Sequence, residues 1–246
     1  WAQKSDRARR SQFTYRSRHP WGIGLTCLLA ALCVARAFVI PYWIPSGSMK
    51  PTLLPGDYVV LIPRGADLPQ RGDVVVVRNS DGLDYTKRII GLPGDRIALQ
   101  GGRVLLNGVA LPQAPVAEFT ETKAPLGPAQ AMPRCANDPV GLGGRCRTPA
   151  LRETLPEGRS YTVLDLGPSR ADDMAEITLP EGQYFLLGDN RDNSIDSRFA
   201  PAVSGLGLVP ATRIMGVIPR VILSTSGRSF LSIWSWRWSR IFEAVT

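Results

Sequence analysis

The residue this chain has least of is histidine. His19 is the only one, and it stands in a basic stretch near the N-terminus. Beyond it a Ser-His-Asp triad, a Cys-His pair and any His-ligated metal site are excluded. Lysine is almost as scarce. There are four, Lys4, Lys50, Lys87 and Lys123, against 25 arginines. Arginine keeps its proton and cannot serve as a base. A serine nucleophile in this chain would therefore depend on Lys, Asp, Glu or Tyr. Tryptophan is missing from the middle: Trp1, Trp21, Trp43, Trp234, Trp236 and Trp238 are all six. Of four cysteines, Cys27 and Cys33 sit in an apolar run and read as packing residues. Cys135 and Cys146 bound "CANDPVGLGGRC", with no histidine nearby. Two thiols alone make a poor zinc site, so a short-loop disulfide in an oxidising compartment is expected.

The net charge of +8 is not spread along the chain. Lys4, Arg7, Arg9, Arg10, Arg16 and Arg18 crowd the first twenty residues, opposed only by Asp6. The rest is close to balanced, which argues against nucleic acid as a partner. Residues 1–19 read as a basic cytoplasmic tail. "WGIGLTCLLAALCVARAFVI", Trp21 to Ile40, follows, and Arg36 is the only charge between Pro20 and Met49. About 20 apolar residues cross a bilayer as a helix. Trp21 and Trp43 lie roughly 33 Å apart along such a helix, which suits an aromatic belt at each interface. A cleavable signal peptide is the competing reading, and Ala35-Arg36-Ala37 has the small-x-small form of a cleavage site. The run is long for that role. The expectation is an uncleaved, single-pass anchor over 20–40, a lipid-bilayer partner, and an extracytoplasmic remainder.

After the anchor the chain reads as β. "DYVVLIP", "GDVVVVRN" and "DYTKRIIGL" are short Val/Ile/Tyr-rich runs bounded by Gly, Pro and Asp. "DRIALQGGRVLLNGVAL" alternates around Gly101-Gly102 and predicts a hairpin. Over 101–180 proline, glycine and charge become frequent and the apolar runs weaken, as in an inserted subdomain. Strand character returns in "EGQYFLLGDN" and "TRIMGVIPRVIL". The expected organisation is a catalytic core over 41–100 and 181–223 with an insertion at 101–180. The tail, 224–246, fits an amphipathic helix with Phe230, Leu231, Trp234, Trp238, Ile241 and Phe242 on one face, although Trp236 and Arg237 fall on the wrong sides, and Trp234 to Trp238 also fits a strand. It is either a core or edge element or an interfacial membrane contact.

Among the lysines, Lys4 lies on the cytoplasmic side and Lys123 in a polar, Pro-rich stretch. Lys50 is expected in a solvated loop, dispensable for activity. Lys87 lies inside an apolar strand pattern, the one setting able to depress an amine's pKa. Neighbouring Lys87 and Arg88 face opposite sides of a strand. Taken alone, Lys87 is an ordinary strand lysine, "PSGSM" a flexible turn, and "GDNRDNSIDSR" (Gly188 to Arg198) a solvated polar loop. In that loop Asp192 and Asp196 could pair with arginines. Its resemblance to an EF-hand fails at Arg191 and for want of a glycine at the sixth position.

Together the segments are more specific. "IPSGSMKPTLLPGD", "RGDVVVV", "DYTKRIIGLPGD" and "GDNRDNSIDSR", in this order after an anchor, closely resemble the bacterial type I signal peptidases, the leader peptidases of the Ser/Lys dyad class. The resemblance covers roughly residues 36 to 223. One apparent anchor stands here where some members have two. It implies a mainly β fold, a coiled β-sheet core with an inserted second β subdomain behind an N-terminal transmembrane helix. It implies Ser48 as nucleophile and Lys87 as a neutral general base. It implies Ser46, with the Ser48 backbone N–H, as the oxyanion hole, and Ser194 as a hydrogen-bond partner of Lys87. Asp196, Arg198 and Arg88 would form a supporting ionic network, and Ile44, Pro45, Met49, Leu53, Tyr85 and Thr86 the substrate pockets. Neither cofactor nor metal is expected. Substrates would be exported preproteins with small residues first and third before the cut, processed at the outer face of the bacterial inner membrane.

Two rivals remain. One is a specialised Ser/Lys peptidase of related fold, such as a conjugation enzyme. The other is a non-catalytic anchored β protein, which would not need Ser46, Ser48, Lys87 and the 188–198 loop together.

Overall fold

The structure is a computed structural model that describes residues 21–22, 24–27, 40–63, 65 and 68–246. The chain divides into two compact units, Trp1–Phe38 and Val39–Thr246. In the first, Trp21, Gly22 and Gly24–Cys27 are helical. The basic block, Cys33, the Ala35–Ala37 segment and most of the expected anchor lie outside the described residues. Among the described residues no helix is long and apolar enough to cross a membrane.

The second unit is mainly β, and among the described residues its helical pieces are short 3-10 turns. A seven-stranded antiparallel sheet carries β1 (Ile40–Trp43), β2 (Asp57–Pro63), β3 (Val74–Arg78), β4 (Asp84–Gly91), β12 (Gln183–Leu187), β13 (Val209–Pro210) and β14 (Ile214–Ser224). Their order is β1-β2-β14-β3-β4-β12-β13. A four-stranded sheet, β11-β5-β6-β7, is built from β5 (Arg96–Gln100), β6 (Arg103–Leu106), β7 (Val109–Ala110) and β11 (Met174–Thr178). Gly101 and Gly102, both at positive φ, make the β5–β6 turn, as the Gly-Gly pair predicts. A third sheet, β10-β9-β8, comprises β8 (Gln113–Thr122), β9 (Arg145–Thr154) and β10 (Ser160–Leu164). Strands β6 to β11 thus fill the stretch 101–180, in two sheets.

The four consecutive valines of β3 show why the large sheet is covered on both faces. Val74 and Val76 join a core with Ile44, Met49, Leu53, Val59 and Leu61. Val75 and Val77 point the other way, into a core with Ile89, Tyr184 and Leu186. Strand alternation sends successive side chains to opposite faces, and an unbroken apolar run satisfies both. A third core, around Ile97, Leu99, Tyr161 and Phe185, lies where the smaller sheets meet the larger.

The tail departs from the predicted amphipathic helix. It forms two 3-10 turns, Ile233–Ser235 and Trp238–Arg240. Its backbone pairs with the end of β14 and just beyond, Arg237 N–H donating to Ser224 O and Val221 N–H accepted by Glu243 O. The Arg237 amide and the Glu243 carbonyl are thereby taken out of any helical ladder. Arg240 pairs with the buried Asp57 at 2.7 Å, which fixes the tail against the core. Trp236 and Arg237, which fall on the wrong sides of the helical pattern, are the sequence's sign of this.

Candidate active site

Residues 44–54 leave β1 as a tight loop. Lys50 N–H donates to Gly47 O at 3.2 Å and Leu53 N–H to Met49 O at 2.9 Å. The polar loop after β12 holds it from the other side. Asn190 donates twice, its backbone N–H to Ser48 O and its side-chain amide to Gly47 O, each at 3.0 Å. These bonds aim the Ser48 side chain toward β4. There Lys87 Nζ lies 3.0 Å from Ser48 Oγ, and Ser46 Oγ lies 3.2 Å from the same oxygen. The residues expected as nucleophile, base and oxyanion donor are thus gathered around one hydroxyl.

Lys87 is 2 % exposed. It stands directly across from Val75 of β3, and its ammonium position is 5.6 Å from the Tyr85 ring. Burial lowers its pKa to about 8, with Asp196 and Asp189 opposing the shift and Arg198 assisting it. An amine poised there is neutral for an appreciable fraction of the time near pH 8. In contact with a hydroxyl it can then accept that proton.

Arg88 faces the other way, as strand alternation requires. It binds Asp189 through Nε at 2.8 Å and Nη2 at 2.7 Å, both groups almost fully buried. Its guanidinium stacks 4.1 Å from the Tyr161 ring centroid. The expected single network of Arg88, Asp196 and Arg198 is therefore two separate pairs. Asp196 belongs to Arg198, at 2.9 Å, and also accepts from Gly188 N–H. Asp189 is the partner the sequence reading missed. It sits inside "GDN", beside residues already singled out, and Thr52 Oγ1 also donates to it, at 2.5 Å. Among the described residues Asp192 pairs with no arginine side chain; it accepts instead from Leu166 N–H.

Ser194 does not bond Lys87. Among the described residues its buried hydroxyl has no hydrogen-bond partner. It packs so tightly against Gly188 that a side chain there would meet Ser194 Oγ at 2.2 Å. Lys50 is not in a solvated setting. It is 3 % exposed and grips both carboxylate oxygens of Glu121, at 2.6 and 2.7 Å. Burial lowers its pKa, with Glu121 opposing. The sequence pattern of a short loop gives no sign of an acid brought from a strand 71 residues away.

A cleft of about 580 Å³ opens beside the Ser48 hydroxyl. Ile44, Pro45, Ser46, Ser48 and Met49 form one wall, and Tyr85, Thr86 and Lys87 the other. Leu53, expected in a pocket, lies instead in the core below, with Val59 and Leu61. Pro41, Tyr42, Trp43, Leu83 and Asp84 extend the cleft outward. Tyr42 donates to Asp84 at 2.5 Å across its mouth, and Arg78 binds the same carboxylate twice. Away from the cleft, Cys135 and Cys146 are joined in a disulfide. Among the described residues no cluster of His, Cys, Asp and Glu is suited to a metal ion.

A serine held against a buried lysine, on this order of motifs, is matched by a family model. The model for the signal peptidases, peptidase S26, matches residues 19–223. The chain belongs to this family. The signal peptidase I of Rickettsia typhi is 32 % identical over 226 residues, covering 79 % of this chain and 76 % of that one. The signal peptidase I of Pseudomonas aeruginosa is 32 % identical over 213 residues, covering 77 % and 66 %. The chain is therefore a serine endopeptidase of the signal peptidase kind.

Proposed function

We propose that this peptidase cleaves signal peptides from exported preproteins with Ser48 as nucleophile and neutral Lys87 as general base. The observation that carries the reading is the 3.0 Å approach of a fully buried amine to a half-buried hydroxyl at the floor of a cleft. Lys87 takes the Ser48 proton as Oγ attacks the scissile carbonyl. The oxygen that becomes negative is met by the Ser46 hydroxyl and the Ser48 backbone N–H. Collapse breaks the C–N bond, and the protonated Lys87 returns its proton to the departing amine. Water, activated by the same amine, then hydrolyses the ester. Asp196 and Arg198, paired beside the amine, keep the surrounding charge fixed.

Ile44 and Met49, both almost fully buried, line the cleft in which small residues first and third before the cut would sit. The strand 84–86 offers an edge for an extended segment to pair with. The apolar run 20–40 anchors the chain in the bacterial inner membrane with the basic block 1–19 in the cytoplasm. Anchoring raises the local concentration of a substrate held in the same plane. Exposed Phe230, Leu231, Trp234, Trp238 and Phe242 in the tail support a contact with the lipid interface. Cleavage of a purified preprotein by wild type, Ser48→Ala and Lys87→Ala tests the reading. Loss of cleavage in both variants, with folding retained, is expected. Turnover near that of wild type in either one overturns the assignment.

A further inference from the structure

Lys50 is buried, charged and two residues from the nucleophile, yet no step above uses it. Its stem passes directly beneath Gly47. A methyl group on Gly47 would sit 3.1 Å from Lys50 Cε and 3.4 Å from Cδ. Gly47 is the link between Ser46 and Ser48, so the Lys50 stem forms a floor under the backbone that joins those two residues. The far end of Lys50 is not held by its own loop. It is held by Glu121, 71 residues away on β8, through both carboxylate oxygens. Glu121 is itself fixed in register opposite Cys146, which is tied to Cys135. The upper side of the loop is clamped by Asn190, through Gly47 O and Ser48 O. The direction of a Gly47 side chain is filled by the Lys50 stem, with Asn193 Nδ2 next at 3.5 Å.

We infer that the Lys50–Glu121 ion pair is a positioning device, through which the three-stranded sheet sets the spacing of the Ser46 and Ser48 donors. The inference rests on the Ser48–Lys87 reading of the site. Lys50 touches no substrate atom in this scheme and acts through Gly47. A displacement of about 1 Å in a catalytic group costs on the order of 10²-fold in rate, so losing the floor should lower kcat by roughly ten- to a hundredfold.

A merely structural role predicts something different. Removing one partner strands a buried charge, whereas removing both with apolar groups is often neutral for stability. The test compares full-length wild type, Ser48→Ala, Lys50→Met, Glu121→Leu and the Lys50→Met/Glu121→Leu double variant on one preprotein. Melting temperature, kcat, KM and the pH profile are read for each. The expected double variant melts within a few degrees of wild type, keeps its KM within about threefold and its alkaline-side ionisation unchanged, and loses roughly ten- to a hundredfold in kcat. A folded double variant with wild-type kcat overturns the inference. So does an altered ionisation, because the effect would then run through Lys87. An active Ser48→Ala instead sinks the underlying reading, whatever the pair does. If a single variant fails to fold, the double variant still decides.

Discussion

Arg88 and Asp189 meet in a two-point salt bridge, 2.8 and 2.7 Å, with almost no solvent on either partner. The bridge joins the strand that carries Lys87 to the start of the loop that holds Ser48. Removing one member of such a pair leaves a buried charge without compensation, which costs about 3–5 kcal/mol. Asp189→Ala should therefore lower the melting temperature by roughly 6–20 °C for a protein of this size. A loss under about 1 kcal/mol in thermal unfolding would show that the pair is not what fixes this junction.

The disulfide between Cys135 and Cys146 closes a short loop at sequence separation 11. Loop-closure entropy gives such a bond about 3 kcal/mol. Reduction, or a Cys135→Ala/Cys146→Ala variant, should lower stability by that order. Intact-mass measurement before and after alkylation under non-reducing conditions should find no free thiol at either position.

Ser46 is one of two oxyanion donors in the proposed scheme. Ser46→Ala should lower kcat by about 10²- to 10³-fold, the usual effect of losing one such donor, and leave KM nearly unchanged. Ser48→Ala should fall further, below detection. Equal losses in the two variants would remove Ser46 from the oxyanion hole.

Lys87 also links stability to pH. Its folded pKa of about 8 lies below the ordinary 10.5, chiefly because of burial. Between those values the unfolded chain holds a proton that the folded chain has lost. Stability from this group therefore rises with pH across the window, and the full penalty, about 3 kcal/mol, applies below pH 8. Lys87→Met should be more stable than wild type at neutral pH, with the gain shrinking toward pH 10.5. Denaturant unfolding of both proteins at pH 7 and pH 10 checks the sign. A gain that grows with pH would contradict it.

Much of this site was legible in the sequence. A chain with one misplaced histidine and four lysines leaves few bases, and only Lys87 sits in an apolar strand. The "VVVV" run, the Gly-Gly hairpin and the return of strand character after residue 181 follow from local pattern, because period and turn chemistry are local. What failed was partnership across distance. Lys50 read as solvated because its neighbours are polar and flexible, while its actual partner, Glu121, comes from another sheet. The resemblance puts Arg88 in one ionic network with Asp196 and Arg198, but the fold gives it Asp189. Leu53 belongs to the pocket set that the resemblance implies, but the loop turns it inward. The tail's apolar spacing allows a helix, yet pairing with β14 takes up the Arg237 and Val245 amides and the Glu243 carbonyl.

The most direct test of the account is the pH dependence of kcat/KM for preprotein cleavage. Lys87 must be neutral to accept the Ser48 proton, and the free enzyme's essential base appears in this profile. With the amine lowered to about 8 by burial, kcat/KM should rise from neutral pH along a limb with its midpoint near 8. Lys87→Arg should be inactive at every pH, since a guanidinium does not release its proton. A profile with no ionisation between about 6 and 9.5, or an active Lys87→Arg enzyme, would contradict the account by leaving Ser48 without a base.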